Sequence, residues 1–104
     1  MTTTQVEMMN EGIARTLRDQ ELIRLRTSPY QDLLKYIDNP SSTILNGPDG
    51  KKYQIETQVF WDTKKSGNIR VMVSVDDGGL TSFKPLSGDF IISPDGSFIG
   101  EDPF

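Results

Sequence analysis

Glu56 and Asp76 are the two residues of this chain whose pairing could support acid–base chemistry. If the segments that carry them lie antiparallel, the two carboxyls meet on one face. Like charges side by side raise one pKa, and a shared proton is what an acid–base pair uses. A carboxylate-dependent hydrolase is the enzyme such a pair would build. Two solvated carboxylates near a sheet end, or a register shifted by two, account for the same letters more plainly. The chain contains neither histidine nor cysteine. Their absence removes the common base near neutral pH, the thiolate nucleophile, the Ser-His pair and the usual zinc ligands. The residues therefore predict a protein that is not an enzyme.

The other charged clusters read as ordinary surface. Asp76-Asp77-Gly78-Gly79 gathers carboxylates that a hard cation could use, but it lacks the ligand spacing of an EF-hand loop and its glutamate at the twelfth position. Asp-Gly is also common hairpin-turn vocabulary, so no metal site is expected. Lys64-Lys65-Ser66-Gly67 has neither the glycine spacing nor the following helix of a phosphate loop, which leaves a solvated hairpin tip. Arg15, Arg18 and Arg26 would share a helix face, but Glu11 and Asp19 interleave with them, as on a solvated face. No cofactor is expected.

Binding chemistry is better represented. Phe60 and Met72, with Leu80 on the next strand, would form an apolar island on an otherwise polar sheet face. An exposed island of that kind marks a partner or ligand surface. The plainer expectation is that the C-terminal segment, with Phe90, Ile91, Phe98, Ile99 and Phe104, folds back to cover it. Left open, it is the best binding surface the chain offers. Trp61, Tyr53 or Phe60 could alternatively serve as a stacking platform for a small ligand or carbohydrate.

These residues must be positioned by strands written in plain alternation. Tyr53, Ile55, Thr57, Val59 and Trp61 occupy one parity, as do Ile69, Val71, Val73 and Val75, which is the period of a half-buried strand. Strands over 51–62 and 69–76 follow, joined by a loop over 63–68. The register that closes this loop over 64–68 sets Trp61 against Val71, Val59 against Val73 and Thr57 against Val75. On the opposite face it pairs Asp62 with Arg70, Phe60 with Met72, and Glu56 with Asp76. Upstream, Val6, Met9, Ile13 and Leu17 recur at helical spacing. That stripe fails beyond Leu17, and residues 21–27 fit helix or strand, with helix favoured. A second helix is expected from Ser28-Pro29-Tyr30-Gln31, with Ser28 as N-cap, and Asn39-Pro40 ends it. Thr43-Ile44-Leu45 then leads into Gly47-Pro48-Asp49-Gly50, a type I turn followed by a left-handed glycine, and Ser93-Pro94-Asp95-Gly96 repeats that chemistry. Pro85 and Gly88 are expected to interrupt the strand that begins at Leu80.

The expected architecture is α+β: two N-terminal helical segments over residues 1–40, packed on an antiparallel meander of four to six strands over 41–104. With 104 residues, 35% hydrophobic and 25% charged, the chain suits one domain with its own core. A net charge of −4 argues against nucleic acid as partner. No apolar run is long enough for a bilayer, and the first residues lack the features of a secretory signal, so a cytoplasmic protein is expected. The function expected is a non-enzymatic interaction or regulatory module, its partner another protein or a second copy of itself.

Overall fold

A computed structural model describes residues 10–77 and 85–99. Asn10 opens the first helix, α1 (Glu11–Arg26), its side-chain oxygen accepting from the Ile13 N–H at 3.0 Å. Such a cap satisfies one of the backbone donors that a helix start leaves without a partner. The ambiguous residues 21–26 thus continue this helix. Ala14, Leu22 and Leu25 are its buried residues. Ala14, Arg18 and Leu22 are spaced four apart and Leu25 follows by three, so the buried stripe passes through a charged position. Val6 and Met9 lie outside the described residues.

The second helical segment is shorter than its pattern implies. It comprises α2 (Tyr30–Leu33) and a 3-10 turn over Leu34–Tyr36. Ser28 is not its N-cap. The Ser28 hydroxyl donates back to the Arg24 carbonyl and its N–H to that of Leu25. The end of α1 claims Ser28, and Pro29 takes the cap position with no side-chain bond. Ile37 leaves the turn extended and makes a parallel bridge to Val59.

Four antiparallel strands follow in sequence order: β1 (Ser41–Asn46), β2 (Lys52–Trp61), β3 (Ile69–Asp76) and β4 (Leu86–Ile92). The fold is α+β, with the N-terminal helices on one face of a meander. Alternation sorts the faces as expected: Tyr53, Val71, Val73 and Val75 are fully buried beneath the helices. Burying a valine side chain in this way contributes about 1.5–3 kcal/mol.

The sheet also departs from expectation at the β2–β3 register and at Gly88. The β2–β3 register is displaced by two: Val59 faces Val71, Trp61 faces Ile69 and Phe60 faces Arg70. The tip is set by Ser66 at φ 68° and by the Gly67 N–H donating to the Lys64 carbonyl. Tyr30 then anchors it by donating to the Gly67 carbonyl at 2.7 Å. A shift of two preserves parity, so every side chain keeps its face while its neighbour changes. Gly88, in turn, lies within β4 rather than interrupting it. A Cβ there would meet Leu22 Cδ1 at 2.9 Å and Arg18 Cδ at 3.3 Å, so the missing side chain lets α1 settle on the strand. Leu80 and its expected strand lie outside the described residues.

The Pro-Asp-Gly turns share one geometry. Gly50 and Gly96 have φ of 80° and 91°, and each donates to the carbonyl three residues earlier. In each, the aspartate accepts the N–H two residues on, Asp49 from Lys51 and Asp95 from Ser97.

Candidate functional site

The face of the sheet away from the helices carries the island. Phe60 points outward from β2 with 43% of its surface exposed, and the register seats Arg70 directly opposite it. Arg70 in turn faces Ile91 of β4. Met72 is half-buried on the same face, opposite Gln58 and Asp89. The Ile99 N–H donates to the Ile91 carbonyl at 2.9 Å and extends the patch past β4. The island is therefore Phe60, Arg70, Met72, Ile91 and Ile99, organised around a guanidinium. Ile91 and Ile99 join it because the backbone brings them there. The guanidinium keeps the contact with Asp62 that the sequence predicts, while its place beside Phe60 follows only from the actual register.

Arg70 holds the island's charge. Its guanidinium binds Asp89 through Nη1 and reaches Asp62 Oδ1 at 3.3 Å through Nη2. The hydrogen bond to Asp89, opposed by partial desolvation and reinforced by the charges of Asp89 and Asp62, raises the Arg70 pKa above its ordinary value. With its charge occupied by two acids, the side chain offers its aliphatic stem between Phe60 and Ile91.

Among the described residues the C-terminal segment, which reaches Ile99, does not roof the island; Phe104 lies outside them. Phe98 bridges to Ile92 and meets Phe90 edge-on, with ring centroids 5.7 Å apart, and Arg26 of α1 lies 4.2 Å over the Phe98 ring. That aromatic contact extends the helix side of the sheet. Trp61 is likewise on the helix side, partly buried against the core, so it does not share a face with Phe60 and Met72. Tyr53 is fully buried and offers no stacking surface.

The carboxylates are arranged differently from the facing pair. Glu56 is opposite Ser74 and Asp76 is opposite Gln54, which leaves the two acids diagonal on the open face. Among the described residues no group of three or more carboxylates could hold a metal ion. None of their helices is long and apolar enough to cross a membrane.

Among the described residues concavities lie on the helix side, and a pair of them flank α1. One, of about 440 Å³, runs from Asn10, Ile13 and Leu17 of the α1 start to Pro48 of the β1–β2 turn. The other, of about 290 Å³, separates α1 from β1 and is lined by Glu21, Arg24, Thr43, Leu45 and Thr57 among others. In it Arg24 grips Glu21 through Nε at 3.0 Å, while the buried Thr57 hydroxyl donates to the other Glu21 oxygen at 3.4 Å. The groove exists because α1 lies over β3 and β4 and reaches only the margin of β2.

No protein-family model, curated protein or solved structure matches the chain.

Proposed function

We propose that this protein is a non-enzymatic interaction module that binds another protein through the open face of its sheet. The observation that carries the reading is the exposed Phe60 beside Arg70, Met72 and Ile91 on a face the helices leave bare. Aromatic, methionine and arginine side chains are the types enriched at the centres of protein interfaces, with charged groups at the rim. Asp62 and Asp89 form that rim and already share Arg70. Glu56 and Asp76 add acid to the same face. The complementary partner presents an apolar anchor ringed by basic side chains.

The test is a pull-down from native cell extract with wild type and Phe60→Asp, paired with a photo-crosslinking residue at position 60. A partner captured by wild type, crosslinked from position 60 and lost with Phe60→Asp supports the reading. A partner retained equally by both variants removes the sheet face as its site.

A further inference from the structure

We infer that β1 is the pairing edge of a symmetric dimer, in which two copies join their sheets antiparallel about Ile44. The two edges of the sheet differ sharply. Beyond β4 the chain turns at 93–97 and returns, Phe98 bridging to Ile92, so that edge is partly occupied. Beyond β1 no described residue pairs. Free edges are ordinarily blunted by lysine, proline, inward charge or a bulge. Ser41-Ser42-Thr43-Ile44-Leu45-Asn46 has none of these, in a chain of which 25% is charged. Its Ile44 is 63% exposed and its Leu45 40%.

The hydrogen-bond phase makes this edge self-complementary. The Gly47 N–H donates to the Lys51 carbonyl at 2.8 Å, which fixes Gly47 and Lys51 as a hydrogen-bonded pair. Such pairs recur at every second residue of an antiparallel ladder. Thr43 and Leu45 therefore turn their backbone groups toward Ile55 and Tyr53, with which they are in register. Ser42, Ile44 and Asn46 direct theirs to the free edge. A two-fold axis at Ile44 pairs Ser42 of one copy with Asn46 of the other, and Ile44 with its own counterpart. Every outward N–H and C=O among these three residues finds a partner. On the outer face the two Ile44 side chains meet. On the inner face Thr43 of each copy lies beside Leu45 of the other. No charge is brought together, and an isologous contact of this kind closes at two subunits. Because α1 stops short of β1, the helices leave space above the joined strands.

Pairing uses the strand edge and not the outer face, so it stands or falls separately from the reading of Phe60, and Phe60→Asp leaves it intact. Sedimentation of the wild-type chain at up to about 1 mM, the weak end of specific association, is expected to show a concentration-dependent dimer. Ile44→Lys sets two ammonium groups against each other on the axis and is expected to leave a folded monomer, with circular dichroism confirming the fold. Mixing Ile44→Lys with Ile44→Glu is expected to restore a mixed dimer. A wild type that stays monomeric throughout overturns the proposal, as does a dimer indifferent to Ile44→Lys.

Register has its own test, because the chain has no other thiol. Ile44→Cys is expected to form a disulfide-linked dimer under mild oxidation, since residues facing each other there have Cα atoms about 5.5 Å apart, within disulfide reach. Ser42→Cys alone is expected to crosslink poorly, its counterparts being about 14 Å apart. Ser42→Cys mixed with Asn46→Cys is expected to crosslink well. Equal crosslinking from Ser42→Cys alone overturns the Ile44-centred register.

Discussion

Tyr53 shows how one hydroxyl can tie three parts of the chain together. Its ring is fully buried, its oxygen accepts from the Asn10 N–H at 3.3 Å, and its proton goes to Asp49 Oδ2 at 2.7 Å. The start of α1, the β1–β2 turn and the core thereby meet at one atom. Removing that oxygen with Tyr53→Phe is expected to cost about 0.5–1.5 kcal/mol in urea unfolding, because the Asn10 N–H and the Asp49 carboxylate, both at the surface, exchange this bond for water while the ring still fills its space. The same contact has a pH signature. Burial, then the bond to Asp49, raises the Tyr53 pKa above 10.0. The contribution is thus complete below that value and is lost as pH rises through the higher native one. Desolvation works against ionisation of Asp49, but the Tyr53 hydroxyl and the Lys51 N–H prevail and lower its pKa below 3.8. Asp95, bonded by Ser93 and Ser97, falls to about 2. Both carboxylates contribute above the ordinary value of about 3.8 and cease to as pH falls through their native values. Stability followed by circular dichroism is therefore expected to decline between pH 3.8 and about 2, and to decline less steeply in Asp49→Asn with Asp95→Asn.

At the scale of elements, the decisive contact is α1 against β4. The Leu22 methyl and the Arg18 stem occupy the space that a side chain at Gly88 would fill, and Arg18 Nη1 donates to the Ser87 carbonyl at 3.2 Å. Gly88→Val is expected to destabilise the protein by about 1–3 kcal/mol in denaturant, since the helix must lift or Leu22 must leave its rotamer. Combining it with Leu22→Ala relieves the clash, so the double variant is expected to lose less than the two single losses together. This contact explains why the stripe of α1 could not be followed beyond Leu17 in the sequence. Arg18 stands half-buried within the packed stripe, and only the glycine seventy residues away reveals why a charged side chain is admitted there. Alternation along β2 and β3 was legible because parity is local to each strand. Their register was not, because it depends on Ser66 adopting a positive φ and on Tyr30 holding Gly67 from another element. The Ser28 cap failed for a similar reason: the end of α1 competes for the same hydroxyl.

Across the whole molecule, protection from solvent is graded from β3 outward. β3 has a strand on either side and α1 above; among the described residues β1 has a strand on one side and lies beyond the reach of α1. The same asymmetry made the candidate surface only half legible. Phe60 and Met72 could be assigned to the wet face from parity alone. Ile91, Ile99 and the place of Arg70 beside Phe60 needed the pairing of all the strands. Amide hydrogen exchange can read this gradient, because local opening requires less free energy where fewer neighbours hold a segment. In dilute protein the amides of Val71 and Val73 are expected to exchange only with global unfolding. Thr43 and Leu45, bonded to β2 alone, are expected to exchange through a cheaper opening that frees β1. Ser42, Ile44 and Asn46 are expected to exchange fastest, since their N–H groups face water at the edge. Raising the protein concentration should slow these three in wild type and leave them fast in Ile44→Lys. If Thr43 and Leu45 are instead as protected as Val73 in dilute protein, β1 is held as firmly as the centre of the sheet, and an edge that opens on its own is ruled out.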